Sequence, residues 1–501
     1  VDGAITFSST LNGIDILADA TNFTDSILIS QNASTGTLDA ATNNTGLGDT
    51  VFAALTSGDN NVGIGADSLK GLTSGSGNVG VGFAALEANT TASNNTAVGF
   101  TALLLNTTGD LNTAVGALSL DACTTGANNT AVGHDALGAT TTGNSNTAVG
   151  EDCLQANTTA SNNTAVGRRA MFSNTTGTDN VAIGHNALDA NTTASNNTAI
   201  GHDALTENTT GARNNAFGSL SLDANTTASF NNAFGYNSLG ANTTGEENVA
   251  MGDNAAAANT TGDKNTAIGT SSLASNTTAD NNTSVGYASL NANTTGADNV
   301  AVGMQALKAN TTASFNVAIG KNSMEANTEG ANNTAVGRES LASNTTASNN
   351  TAIGYNSLLV NTTGAGNTAV GASALDANTT GANLVAVGSA ALGANTTADN
   401  NTAIGAAALL VNTTGAENVA IGVQALDANT TGSNHVAVGN NALGANTTGV
   451  QSTACGDGAL ASNTTGNTNA AFGIGALDAN TTGSDNTACG AYALSTATTA
   501  S

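Results

Sequence analysis

A 17-residue repeat governs almost all of this chain. A unit with the consensus N-T-A-V-G-x-x-A-L-x-A-N-T-T-G-x-x recurs at this spacing from Asn44 to Asn486, which makes 27 copies without an insertion or deletion. We number the first Asn of each unit as repeat position 1. Tandem helical repeats need about 33 residues or more, so a unit of this length is too short for them. The period instead predicts one rung of an all-β parallel β-solenoid, or β-roll.

Within each rung the pattern predicts two short strands and two turns. Positions 2 to 4 alternate as one strand, and positions 8 to 10 read as a second strand with Leu pointing inward. Asn and Gly in the NTTG of positions 12 to 15 stand where a turn needs positive φ. Rungs stacked about 4.8 Å apart would give a rod of about 130 Å.

Position 5 is Gly in all 27 copies and predicts a tight corner that a Cβ would obstruct. These structural corners include Gly99, Gly116, Gly133, Gly150, Gly167, Gly184 and Gly201.

Two apolar ladders are predicted to form the core. Position 4 is always apolar and position 9 is Leu in 23 copies. Burial of each such side chain contributes about 1.5–3 kcal/mol. The predicted core residues include Val98, Leu103, Val115, Leu120, Val149, Leu154, Val166, Val336 and Leu341.

Position 3 carries only Gly, Ala or Ser and lies on the opposite side of its strand from position 4. With position 4 taken as inward, two interpretations follow: another subunit's backbone passes close to this column, or both strand faces are buried within one narrow solenoid. The first is the prediction we favour. The predicted intersubunit column includes Ala97, Ala114, Ala131, Ala148, Ala165 and Ala335.

Residues 1–43 lie outside the period, whereas residues 44–501 form the array. The segments GAITFSS, GIDILAD and DSILISQ are typical of short strands. They are expected either to cap the first rung or to dock onto the open end of a neighbouring molecule, because an uncovered solenoid end is an exposed edge. The uncharged tail STATTAS offers such an edge, so head-to-tail assembly into a filament is expected.

Charge and hydropathy exclude several classes of partner. The chain has 35 acidic and 8 basic residues and a formal net charge of −27. Nucleic-acid binding needs clusters of Lys and Arg, so no nucleic-acid partner is expected. No run of 18 or more apolar residues occurs, so no membrane insertion of this chain is expected.

The residues that usually carry chemistry are scattered. The four cysteines are predicted to be free, buried thiols: Cys123, Cys153, Cys455 and Cys489. Cys455 and Cys489 share position 4 but lie two rungs apart, which is beyond the reach of a disulfide. His134, His185 and His202 share position 6 and are predicted to lie on the surface without an accompanying column of carboxylates. Asp189, Asp223, Asp376, Asp427 and Asp478 share position 10 but are too dispersed to act as acid–base pairs.

No nucleophile–base pair, phosphate loop, metal spacing or cofactor motif is present in the sequence. We therefore expect no enzymatic activity, no metal and no cofactor.

The Asn-Thr-Thr triplets match glycosylation sequons but are interpreted as ladders of turn residues. The columns of Thr leave an ice-binding surface as a minor alternative. Such a flat surface needs Thr at alternating positions, whereas two consecutive Thr residues send only one of their side chains outward.

The unit resembles the repeats of two families. The segment NTAVGHDAL, Asn129 to Leu137, resembles the head repeats of YadA-like trimeric autotransporter adhesins. That resemblance implies a left-handed parallel β-roll that assembles as a homotrimer. The segment NVAIGVQALDANTTG, Asn418 to Gly432, is similar to the NTAIGxxALxxNTTG arrays of tail-fibre-like repeat proteins, which often end in a self-cleaving chaperone.

These observations predict an extracellular structural fibre or filament subunit with an adhesion or cell-connection role at the cell surface. The expected partners are further copies of this chain, as a homotrimer and as a head-to-tail filament, and a host-surface or matrix ligand. The alternative is the shaft of a phage-type tail fibre, which would place the chain on a virion.

Overall fold

The repeated unit folds as one rung of a parallel β-solenoid. The computed structural model describes residues 7–11, 14–20, 23–30 and 38–499, and these residues contain no helix. The solenoid has about 27 turns. The chain divides into two units, Val1–Glu247 and Asn248–Ser501.

Each rung contributes a single three-residue strand at positions 2 to 4. The first unit contains β1 (Phe7–Leu11), β2 (Ile14–Ala20), β3 (Phe23–Ser30), β4 (Ala41–Thr42), β5 (Thr45–Leu47), β6 (Val62–Ile64), β7 (Val79–Val81), β8 (Thr96–Val98), β9 (Thr113–Val115), β10 (Thr130–Val132), β11 (Thr147–Val149), β12 (Thr164–Val166), β13 (Val181–Ile183), β14 (Thr198–Ile200), β15 (Asn215–Phe217) and β16 (Asn232–Phe234). The second unit contains β17 (Val249–Met251), β18 (Thr266–Ile268), β19 (Thr283–Val285), β20 (Val300–Val302), β21 (Val317–Ile319), β22 (Thr334–Val336), β23 (Thr351–Ile353), β24 (Thr368–Val370), β25 (Val385–Val387), β26 (Thr402–Ile404), β27 (Val419–Ile421), β28 (Val436–Val438), β29 (Thr453–Cys455), β30 (Ala470–Phe472) and β31 (Thr487–Cys489).

Within each unit the strands of the rungs stack in parallel, and each is in register with the strand of the adjacent rung. In β11 and β12, for example, Ala148 pairs with Ala165 and Val149 pairs with Val166. Side chains at the same repeat position therefore form columns along each unit.

The N-terminal segment forms a meander that lies on the first rung. β1 pairs antiparallel with β2, and β2 pairs antiparallel with β3. β3 then pairs in parallel with β5, and Leu28 of β3 lies opposite Gly46. The end of this chain's own first rung is thus covered by its own strand. Of the predicted segments, residues 3–6, 13 and 31 lie outside the described residues, as do the tail residues 500 and 501.

The prediction of a second strand at positions 8 to 10 is wrong, because positions 6 to 11 form turns. Positive φ occurs at positions 7 and 9 within this region, as at Asp152 (56°) and Leu154 (52°). It also occurs at position 17, as at Asn162 (63°), and not at the Asn of position 12. The left-handed conformation costs roughly 1–2 kcal/mol for a residue with a Cβ. Complete burial of the Leu154 side chain offsets that cost, since it contributes about 1.5–3 kcal/mol.

These turns still bond from rung to rung. The Leu103 backbone N–H donates to the Ser119 carbonyl of the next rung at 2.9 Å, and the Gly99 N–H donates to the Val81 carbonyl of the preceding rung at 2.8 Å. The backbone is therefore satisfied along the stacking axis even where no strand is formed.

The structure corrects the predicted direction of the strand side chains. Position 3 points into the core and position 4 points outward: Ala97 is fully buried, whereas Val98 is 37% exposed. The core assignment was wrong for Val98, Val115, Val149, Val166 and Val336, which are exposed or half-buried. Leu103, Leu120, Leu154 and Leu341 are fully buried as core residues.

The predicted intersubunit column is likewise corrected. The fully buried residues Ala97, Ala114, Ala131, Ala148, Ala165 and Ala335 have no surface left for another subunit. Their small size has a different reason, which the position 3 glycine Gly80 illustrates: a Cβ there would lie 2.6 Å from Ser68 Oγ of position 8 and 3.2 Å from Leu69 Cγ of position 9, so the interior opposite position 3 is narrow. The alternative interpretation, in which this column is buried within one solenoid, is the arrangement observed.

Two ladders of buried Asn complete the core. The Asn163 backbone N–H donates to Asn146 Oδ1 at 3.1 Å, and Asn163 Nδ2 donates to the Gly177 carbonyl at 2.9 Å. At position 12, Asn174 Nδ2 donates to Asn157 Oδ1 at 3.1 Å and to the same Gly177 carbonyl at 3.0 Å. These bonds satisfy polar groups that would be costly to bury unpaired, and they tie each rung both to itself and to its neighbour.

The position 5 glycines make the closest approach between rungs. The predicted corners from Gly99 to Gly201 have φ between 132° and 149°. A Cβ on Gly150 would lie 2.5 Å from the Gly167 carbonyl oxygen of the next rung. Any side chain here would force the rungs apart.

We predict that Leu103→Ala destabilises its rung by about 2–5 kcal/mol, because it leaves a cavity in the core. Val98→Ala in the same rung should cost much less in the isolated chain, because Val98 points outward. Hydrogen exchange of the surrounding amides measures both effects locally. Equal losses of protection would contradict the reversed orientation of the strand.

We further predict that Gly456→Ala lowers the melting temperature far more than Gly458→Ala in the same rung. A Cβ on Gly456 would overlap the Gly473 carbonyl, whereas one on Gly458 has nothing within 4 Å. Gly456 has φ of 142° and Gly458 has φ of 63°. Because both angles are positive, each Ala substitution also introduces backbone strain, in addition to any contact made by its Cβ. Gly458→Asn is the control, because Asn441 occupies the same repeat position with φ of 54°. A similar loss of stability for Gly456→Ala and Gly458→Ala would count against a corner defined by contact between rungs.

Candidate functional surface

Positions 2 and 4 of every rung point outward and together form a surface that we call the outer strand face. Thr164 and Val166 illustrate one rung of it. The position 4 side chains repeat in register along each unit, and in many rungs they are more than one-third exposed. The most exposed include Leu47, Ile64, Val98, Val115, Val166 and Ile183 in the first unit, and Met251, Ile319, Ile353, Ile404, Ile421 and Phe472 in the second.

The outer strand face carries no charge. In all 27 copies position 2 is Thr, Val, Asn or Ala, and position 4 is apolar. The acidic residues of the array occur at other positions, chiefly 6, 7, 10, 16 and 17. An apolar column that runs along a unit in this way is unusual on a monomeric soluble protein and is typical of an interaction surface.

Position 6 forms a neighbouring column with much more varied chemistry. It carries three of the four Tyr residues, two of the Arg residues, a Lys and three of the four His residues. Like residues in adjacent rungs stack: the rings of Phe83 and Phe100 lie 5.5 Å apart. The solenoid therefore displays its chemically varied side chains beside the uniformly apolar column of position 4.

Two of the predicted surface histidines lie together. The rings of His185 and His202 stack with centroids 5.3 Å apart, whereas His134 is exposed in a rung of its own. His202 Nδ1 lies 2.9 Å from Asp203 Oδ2. Sequence reasoning noted the adjacent histidines but missed this carboxylate, because Asp203 belongs to position 7 and is presented by a turn with φ of 54°.

The position 10 aspartates do not form acid–base pairs with one another. Burial raises the pKa of Asp223, Asp376 and Asp427. Asp189 instead lies 3.2 Å from Arg169 Nη2 in an ion pair. Two or more rungs separate each of the five predicted residues from the next.

The four thiols differ in their exposure to solvent. Cys123 and Cys153 are buried and free, and burial raises the pKa of Cys123 to about 11 and that of Cys153 to about 12. Cys455 and Cys489 are free and exposed, because they occupy position 4. The prediction that all four thiols are buried was therefore wrong for this second pair.

The Asn-Thr-Thr triplets are structural. Their Asn residues are buried and use Nδ2 in the position 12 ladder, as Asn174 does. Of the two Thr residues, Thr175 is half-buried and Thr176 is exposed. Thr158 Oγ1 donates to the Thr175 carbonyl of the next rung at 3.1 Å, so the inner Thr column is a further ladder.

The fold places the chain among all-β parallel β-solenoid repeat proteins. No protein-family model matches the chain, and no curated protein matches it with significance. Among the described residues, no helix long and apolar enough to cross a membrane is found.

We predict that Cys123 and Cys153 resist thiol reagents at neutral pH until the protein unfolds. Their raised pKa keeps them protonated, and the thiolate is the reactive form. In a Cys455→Ser/Cys489→Ser variant, an absorbance assay should find no reactive thiol in the folded protein and two after denaturation. Rapid modification of the folded variant would show that these rungs open in the native state.

Proposed function

We propose that this chain is a structural subunit of an extracellular fibre, in which several copies associate laterally through their outer strand faces. The observation that carries the proposal is the unbroken, uncharged column of position 4 side chains. Burial of apolar surface is the main favourable term in protein association. A second copy offers the same column with the same rung spacing.

The distribution of charge supports the same face. A net charge of −27 makes copies of this chain repel one another. The acidic residues project chiefly from positions 6, 7, 10, 16 and 17, so the outer strand face is a side on which two copies can approach without opposing carboxylates directly. The Thr column of positions 13 and 14 is also nearly uncharged but polar, so the apolar side chains of position 4 favour the outer strand face over it.

The resemblance to YadA-like head repeats favours three copies around a common axis. The position 6 column would then lie at the margin of the interface and remain available to ligands on a host surface or matrix. We place this assembly at the cell surface. The shaft of a phage-type tail fibre is the alternative with the same architecture, and it would use the same face for the same physical reason.

We predict that wild-type protein sediments as an oligomer, with three 48.3 kDa chains giving about 145 kDa. Val166→Lys/Ile183→Lys should reduce the mass, because two charges per chain would be buried without partners. Both side chains point outward, so the rungs themselves should still fold. Analytical ultracentrifugation at micromolar concentration measures the result.

The matched control is Thr176→Lys/Thr193→Lys, which places the same charges in the same two rungs at exposed position 14. This variant should keep the wild-type mass. A monomeric wild type, or equal dissociation of the two double variants, would overturn association through the outer strand face.

A further inference from the structure

Two adjacent rungs of the first unit bring three metal-ligating side chains together at the surface. His185 belongs to one rung, and His202 and Asp203 belong to the next. One ligand atom from each of these residues lies within 4.8 Å of the other two. We propose that His185, His202 and Asp203 bind a divalent transition-metal ion.

The type of ligand selects the type of ion. Two imidazoles and one carboxylate suit zinc, nickel or copper ions rather than magnesium or calcium, which prefer oxygen ligands. Zinc is bound about 2.0–2.2 Å from nitrogen and oxygen ligands. Ligand atoms must therefore move closer together than 4.8 Å. The exposed His202 ring can make this movement without disturbing the core.

The surrounding hydrogen bonds prepare the site. His202 Nδ1 and Asp203 Oδ2 are 2.9 Å apart, close to the separation of two ligands on one ion. His185 Nδ1 is buried without a hydrogen-bond partner among the described residues. Asn186 Nδ2 donates to Asp203 Oδ1 at 3.1 Å and so holds the carboxylate while its other oxygen faces the histidine. Such outer-shell bonds orient metal ligands.

The nearby charges act in opposite directions. Asp203 lines a shallow surface pocket with Glu207 and Asp223, and these carboxylates make the local potential favourable to a cation. Arg168 Nη1 lies 3.4 Å from His185 Nε2 and opposes binding. The Arg168 side chain is exposed and forms an ion pair with Glu151 at 3.3 Å, so it can turn away from the site.

An ion at this site would link two rungs through side chains. It would add a bond along the stacking axis between two rungs that are otherwise joined, among the described residues, by hydrogen bonds and packing. Because it binds the folded stack, it should raise the thermal stability of the protein.

The test is a calorimetric titration of the full-length, metal-free protein with Zn²⁺ in the presence of millimolar Mg²⁺, which occupies weak carboxylate sites. We expect one saturable equivalent per chain and a higher melting temperature. Loss of an outer-shell partner typically weakens metal affinity by roughly 10–100-fold. His202→Gln and Asp203→Asn each remove a direct ligand, so each should weaken the affinity for Zn²⁺ by at least that factor. Asn186→Ala should weaken it within that range.

His134→Gln is the matched control, because His134 occupies the same repeat position without a neighbouring histidine. It should leave the affinity unchanged. Arg168→Gln should strengthen binding, because it removes a positive charge beside His185. Absence of a saturable equivalent, or an affinity unaffected by His202→Gln, would overturn the proposal. Equal weakening by His134→Gln would do the same by showing that zinc binds exposed histidines without selection.

Discussion

The rungs hold together because each finds its hydrogen-bond partners one repeat away, in the rung before or after it. The bonds between main-chain groups are not confined to the three-residue strands. Turn residues such as Leu103 also donate along the stacking axis, and the Asn ladders repeat the same step inside the core. An inserted residue would break this step for every pair of residues that spans it, and the affected rung would have to bulge out of the stack; this gives a physical reason for an array of 27 units without one insertion or deletion.

The narrowness of the rung decides which strand face is buried. Because side chains alternate along a strand, the Ala165 side chain points to the opposite face from those of Thr164 and Val166. The alternation does not indicate which of these two faces is buried. Sequence reasoning chose Val because larger apolar groups usually contribute more when buried. In this rung the interior is already occupied by Met171 from position 9 and by the side chains of Asn163 and Asn174, so only a small residue fits at position 3.

The sequence alone was sufficient to predict the period, the all-β class, the Leu ladder and the glycine corner. It was insufficient for the turn at positions 6 to 11, because the alternating Ala and Leu resemble a strand. Leu154 adopts a positive φ of 52°, a conformation that Leu rarely takes. Its burial and its bonds to the adjacent rung make that conformation acceptable, and both depend on neighbours that lie one full repeat away in the chain.

The same geometry explains why the candidate metal ligands were only partly predicted. Register places His185 beside His202, and the sequence contains that information directly. The approach of Asp203 depends on the left-handed backbone at position 7, which turns its carboxylate toward the histidine before it. Positions that face the core or the outer strand face tolerate few residue types, whereas positions 6 and 7 in the exposed part of the turn accept many. A solenoid built in this way concentrates its chemical variety along one turn, and a site arises wherever two adjacent rungs happen to present ligands of complementary type.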